Sequence, residues 1–180
     1  MAKANLLARV RIIVADVTEM DMFEEGSFDL VLCEGDPLSY CTDPRKGIKE
    51  LVRVAKEGVA IVASVDNLYS RIMWSIRQGP VDQAAKLLEN QWATGEFPMY
   101  FFKPSELIER FEETGCEVVK IVGKNVFSGG LGENRLKDPE VFKEVLRLEL
   151  DYCDDPYLVG CAGHIAVVCR KQGSIMRSSV

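Results

Sequence analysis

The sequence predicts an α/β fold: a Rossmann-like, mostly parallel sheet with helices on both faces. Three observations predict it. Apolar, β-branched runs alternate along the chain with stretches of helical periodicity. The runs are near-continuously apolar, the pattern of strands covered on two sides. The chain has 180 residues, 47% hydrophobic and 28% charged, the size and mix of one ordinary globular domain.

The elements follow in order. Residues Ala2 to Arg9 read as the tail of a helix, and Val10-Arg-Ile-Ile-Val-Ala15 as a strand ending at Asp16. The turn-like Glu24-Glu-Gly-Ser27 leads into a second strand, Phe28 to Cys33, which ends at Glu34-Gly35-Asp36-Pro37. Asp43 is the expected N-cap of a helix with Pro44 at its first position and Ile48, Leu51, Val52 and Ala55 on one face. Glu57-Gly58 stops it, and Val59 to Val65 reads as a buried strand. From Leu68 to Phe102 the rhythm turns helical and closes in the aromatic cluster Phe97, Tyr100, Phe101 and Phe102, an expected helical insertion above the sheet. Lys103-Pro104-Ser105 opens a helix with Leu107, Ile108 and Phe111 on one face, and Thr114-Gly115 ends it before the strand Cys116 to Val122. The loop Ser128 to Gly132 precedes a helix from Asp138 to Leu150 with Val141, Val145 and Leu148 on one stripe. A last strand runs from Gly163 to Arg170. The expected organisation is one domain over 1–171, with 68–102 as its insertion, and a tail over 172–180.

Charge and composition narrow the function. Lys plus Arg number 22 against 28 Asp plus Glu, a net charge of −6, and no basic stripe exists to displace counterions from phosphates. A nucleic-acid partner is therefore not expected, and a small-molecule substrate is. The longest apolar stretch, Tyr157 to Cys169, is interrupted by His164 and glycines and is shorter than the roughly 20 residues a membrane span needs. No membrane partner is expected. The six cysteines, Cys33, Cys41, Cys116, Cys153, Cys161 and Cys169, form no C-x-x-C pair, so they read as free, mostly buried thiols of a cytoplasmic protein rather than metal ligands.

Four pieces in order carry a family resemblance. They are the strand ending in Ala15-Asp16-Val17; Gly26-Ser-Phe-Asp-Leu-Val-Leu32; the passage Glu50-Leu-Val-Arg-Val-Ala-Lys-Glu-Gly58 running into Ala63-Ser-Val-Asp-Asn67; and Phe102-Lys-Pro-Ser-Glu-Leu-Ile108 followed by Thr114-Gly-Cys-Glu-Val-Val119. In this order and spacing the chain resembles the class I S-adenosylmethionine-dependent methyltransferases of small-molecule type. The departure at Glu57-Gly58-Val59, where many members have Pro-Gly-Gly, is mild.

The resemblance implies S-adenosylmethionine as cofactor and gives roles to particular positions. Asp16 matches the acid that accepts a hydrogen bond from the adenine amino group, and Val17 the backbone amide that reaches a ring nitrogen. A carboxylate is a strong acceptor for an exocyclic amine, although an Asp there also suits a turn or helix cap. Cys33, Glu34 and Gly35 match the passage beside the methionine part of the cofactor. Gly35 would let backbone approach a ligand closely. A base is needed only when the acceptor must lose a proton. Asp36, Tyr40 and His164 are the candidates, although His164, the single histidine, reads better as a satisfied core or edge residue of the last strand. Asp29 reads as structural.

The family's sheet order is 3-2-1-4-5-7-6, and its first strand runs into a glycine-rich loop. The chain carries no such loop upstream of Val10, so it reads as missing the first two strands of the methyltransferase fold, an N-terminally shortened and inactive form being one expectation. Exposed sheet edges would then invite either direct pairing of Val10–Ala15 with Phe28–Cys33 or a homo-oligomer whose neighbouring subunit fills the gap; a detached Val10–Ala15 would refute both. The competing function is a noncatalytic binding or regulatory module on the same scaffold. A dehydrogenase is disfavoured because no G-x-G-x-x-G follows a strand.

Overall fold

In a computed structural model, residues 9–79, 81–94 and 96–173 are described. The expected helix at 2–9 and the tail at 172–180 fall almost wholly outside them. The ordered elements are β1 (Val31–Cys33), α1 (Pro37–Tyr40), α2 (Pro44–Val54), β2 (Ala60–Asp66), α3 (Leu68–Gln78), α4 (Val81–Asn90), β3 (Trp92–Ala93), β4 (Met99–Tyr100), α5 (Pro104–Glu112), β5 (Cys116–Lys124), α6 (Glu133–Leu136), α7 (Pro139–Tyr152) and β6 (His164–Lys171). Among the described residues no helix is long and apolar enough to cross a membrane.

The main sheet has the order β1-β2-β6-β5. β1 and β2 are parallel, with Leu32 opposite Val62, and β6 runs antiparallel between β2 and β5. Three strands thus share one direction, and their carboxyl ends meet the start of β6 along one edge. The order corresponds to 4-5-7-6 of the family sheet.

One face of the sheet makes the core. Val31, Cys33, Ile61, Ala63, Val65, Ile165, Val167 and Cys169 share it by register and pack under Ile48, Leu51 and Val54 of α2 and Leu107 and Phe111 of α5. Asp43 caps α2 as expected, its side chain accepting from the Lys46 amide at 3.0 Å. On the opposite face α7 lies near Val122 of β5, while the edge at β1 is open. The row Leu32, Val62 and Val168 of that face ends in Lys120, and Leu32 is 61% exposed.

The expected strand Val10–Ala15 does not form. The segment pairs with no strand among the described residues, with Ile12 89% and Val14 97% exposed, so direct pairing with Phe28–Cys33 meets its refuting observation. β-Branched residues favour a strand only when a partner supplies its hydrogen bonds and a face to pack on. The second strand is also shorter than expected. Phe28 makes a single bridge to Ala55, and regular pairing begins at Val31.

The segment 68–102 is less purely helical than its rhythm suggests. α3 and α4 pack on each other through Leu68, Ile72, Ala84 and Leu87, but the segment then turns into the two-stranded β3-β4. The aromatic cluster divides accordingly. Tyr100 and Phe102 enter the main core, Phe101 joins the α3-α4 core, and Phe97 is exposed.

Candidate functional site

Ligands of open α/β sheets sit beyond the carboxyl ends of the strands. Here β1 ends in Cys33-Glu34-Gly35-Asp36, β2 in Asp66-Asn67 and β5 in Lys124, and antiparallel β6 brings His164 to the same edge opposite Asp66. Asn67 fixes that edge. Its Oδ1 accepts from the Tyr69 amide at the start of α3, while its Nδ2 donates to the carbonyls of Gly160 and Ala162 at 3.0 and 2.7 Å.

Two carboxylates and an imidazole converge there. His164 Nδ1 lies 3.0 Å from Asp36 Oδ2 and 3.5 Å from Asp66 Oδ1. Ser64 Oγ donates to Asp36 Oδ1 at 2.6 Å, and Ser39 Oγ accepts from the Asp66 amide at 2.9 Å. Asp36 is held at φ 62°, a left-handed conformation that non-glycine residues rarely adopt and that recurs at functional sites. Burial pushes the Asp66 carboxyl above its ordinary range, the Asp36 charge adds to this, and His164 opposes it. A raised carboxylate is a better base. The buried Asp66 Oδ2 and His164 Nδ1 have no aligned hydrogen-bond partner among the described residues. One ligand atom each from Asp36, Asp66 and His164 lies within 4.8 Å of the others, close enough for a divalent cation or for a shared proton.

Beside this cluster runs an open groove of about 490 Å³. Asp16, Val17, Cys33 and Glu34 line it together with Tyr40, joining three separate stretches of sequence. Met20, Leu32 and Leu51 supply apolar wall. Asp16 Oδ1 accepts from the amide and the hydroxyl of Thr18, both at 2.8 Å, so Asp16 does cap a turn, and those bonds hold its carboxyl below the ordinary range. Its Oδ2 has no partner among the described residues. Gly35 stands at φ +83° with no atom near the position a Cβ would take, so backbone can be approached there. Burial raises the Tyr40 hydroxyl pKa, and the charges of Asp66 and Asp36 raise it further, so Tyr40 is a donor rather than a base at neutral pH.

The three candidate bases, Asp36, Tyr40 and His164, are thus brought to one place. Ser64 to Asn67 form a strand end where a ligand is expected from the sequence, but no role attaches to Ser64 or Asp66 there, because the Ser64–Asp36 contact and the Asp66–His164 pairing exist only through the sheet. Asp29 is exposed and paired with Lys56 at 2.7 Å, away from the edge. All six cysteines are free, four of them buried, and none joins the site as a metal ligand set among the described residues.

Residues 1–63, about a third of the chain, match the family described as "Methyltransferase domain". Among curated proteins, no sequence matches the chain. Solved structures match in fold. A S-adenosylmethionine-dependent methyltransferase from Listeria monocytogenes has TM-score 0.55 at 16% identity, covering 87% of this chain and 67% of that one. One from Methanosarcina mazei has 0.54 at 16%, covering 89% and 66%. One from Thermotoga maritima, described as a possible histamine N-methyltransferase, has 0.52 at 15%, covering 91% and 65%. The chain spans about two thirds of the length of these structures, and at such identity the likeness is one of fold. The chain therefore has the fold of the S-adenosylmethionine-dependent methyltransferases, and its first 63 residues carry a match to their domain family.

Proposed function

We propose that the chain serves as a methyltransferase acting on a small molecule, with S-adenosylmethionine in the groove and the Asp36-His164-Asp66 cluster managing the acceptor's proton. The observation that carries this reading is the groove itself, in which Asp16, Val17, Cys33 and Glu34 come together beside that cluster. The donor set suits the cofactor: apolar wall for a purine, a carboxylate at each of Asp16 and Glu34, and an approachable backbone at Gly35. When bound, S-adenosylmethionine supplies a methyl group already activated by the sulfonium charge, so the protein's work is chiefly orientation.

Asp16 and Val17 would hold the adenine, with the Asp16 carboxylate as acceptor for its amino group and the Val17 amide as donor to a ring nitrogen. Glu34, which lines the groove and pairs with Lys124 at 2.9 Å, would face the cationic end of the cofactor. His164, with Nδ1 turned to two carboxylates, keeps Nε2 for the proton an acceptor loses, and the carboxylates stabilise the imidazolium that results. Tyr40 orients the acceptor as a donor. The buried free thiols support a reducing compartment such as the cytoplasm.

Titration with S-adenosylhomocysteine tests the cofactor half. Asp36→Asn and His164→Gln test the other half: each lowers kcat by about 10²–10⁴-fold for an acceptor that must lose a proton, with cofactor affinity little changed. Unchanged kcat in both variants removes the cluster from the chemistry. A folded protein that binds no S-adenosylhomocysteine selects the noncatalytic module instead. A second reading rests on the absence of an aligned hydrogen bond at Asp66 Oδ2 and His164 Nδ1 among the described residues: the same three residues would hold a divalent cation. Activity abolished by a chelator and restored by magnesium or manganese selects that reading.

A further inference from the structure

A second cavity, about 210 Å³, opens at Asp66. Asp66 and Gly163, the neighbour of His164, line one part of it; Ser70, Arg71, Trp74 and Phe101 line the rest. Arg71 stands on α3 one turn beyond the Asn67 cap. Its guanidinium lies over the Trp74 ring at 4.4 Å and faces the Phe101 ring at 5.7 Å. Among the described residues it makes no ion pair and no side-chain hydrogen bond, and its Nε is buried without a partner. Such an orphan is uncommon, since buried donors in native proteins nearly always find an acceptor, and here acids outnumber bases by 28 to 22.

We propose that Arg71 anchors an anionic group on the methyl acceptor, and that the acceptor is a small planar molecule bearing a carboxylate. This rests on the methyltransferase reading of the same site and names its substrate class. The guanidinium gives its face to Trp74, which leaves the N–H edge for the two-pronged hydrogen bonding that a carboxylate accepts. A lysine in that position would offer a point charge without the fork. Trp74 and Phe101 supply flat apolar wall for the body of the molecule. Asp66 and Arg71 both line the cavity with opposite charges, so an anionic group goes to Arg71 and away from Asp66, the neighbour of His164 across β2-β6. Asp66 does not consume Arg71, as no ion pair joins them among the described residues.

The test uses benzoate as the probe and benzamide as its neutral isostere, each titrated into the full chain without cofactor and followed by tryptophan fluorescence and ligand-observed NMR. The expected result is saturable benzoate binding at least tenfold tighter than benzamide. Arg71→Gln abolishes that discrimination, and Arg71→Lys restores only part of it. Equal binding of the two probes, or unchanged discrimination in Arg71→Gln, overturns the proposal. Should Arg71→Gln fail to fold, the benzoate-to-benzamide ratio of the unaltered chain decides alone. No turnover enters the measurement, so its failure leaves the S-adenosylhomocysteine titration unaffected, and failure of that titration leaves this result standing.

Discussion

Glu106→Ala is expected to be among the most destabilising single changes in this chain. Glu106 lies at the start of α5, with its side chain 17% exposed and that of its ion-pair partner Arg110 11% exposed. Tyr100 donates its hydroxyl to Glu106 Oε1 at 2.5 Å, Gln91 donates to Oε2, and Arg110 also donates to the Tyr100 oxygen at 2.7 Å. Gln91 further donates to the Phe101 carbonyl at 3.0 Å, so the network ties α5 to the strand that walls the second cavity. Burial alone would raise the Glu106 carboxyl. The hydrogen bonds from Tyr100 and Gln91 and the Arg110 charge outweigh it and hold the group below its ordinary 4.5. Removing the carboxylate leaves a buried guanidinium uncompensated, a loss of about 3–5 kcal/mol, which for a chain of this size is a Tm drop of roughly 6–20 °C. Calorimetric melting and urea titration measure it. Because the folded value is depressed, the contribution is complete above the unfolded carboxyl's range and fades as pH falls through the folded value. The gap between wild type and variant therefore narrows in acid. The double variant Glu106→Gln with Arg110→Met, which removes both charges, loses less than Glu106→Ala. A loss below about 1 kcal/mol at neutral pH, or a gap that widens in acid, refutes the reasoning.

Gly123 lies where β5 passes under the turn at 159–161, and a Cβ there would stand 2.8 Å from Ala162 Cβ and 3.3 Å from Val159 Cα. Gly123→Ala is expected to cost about 1–3 kcal/mol of unfolding free energy, measured by urea titration. A thiol reagent applied to the native protein should react first with Cys161, then with half-buried Cys153, and with Cys33, Cys41, Cys116 and Cys169 only after denaturation. Cys33, whose thiol burial and the nearby Cys41 thiol push up to about 12, should be among the last.

Sequence reading reached the helices most reliably because their signals are local. Asp43-Pro44 and Lys103-Pro104 mark helix starts whose hydrogen bonds involve residues only three positions away. Val10–Ala15 shows the limit. Its residues have every local property of a strand, but strand formation depends on a neighbour, and no local pattern reports one. The site divides the same way. Asp16, Cys33, Glu34 and Asp66 all lie at the ends of strand-like runs, the first three taking their expected roles from the family resemblance, whereas the contacts of Asp66 with His164 and of Arg71 with Trp74 and Phe101 arise only in the folded chain. His164 was ambiguous in sequence because a residue at the first position of a strand serves equally as packing or chemistry. The register that sets it opposite Asp66, with Asp36 3.0 Å away, removes the ambiguity of its surroundings.

Isothermal titration of S-adenosylhomocysteine into the chain, with Asp16→Ala in parallel, tests the central claim most directly. The account predicts saturable binding by the unaltered chain. It also predicts a roughly 10–150-fold weaker affinity in the variant, the worth of one hydrogen bond to a charged group at about 1.5–3 kcal/mol. Absence of binding by a folded sample, or equal affinity of the two proteins, contradicts it.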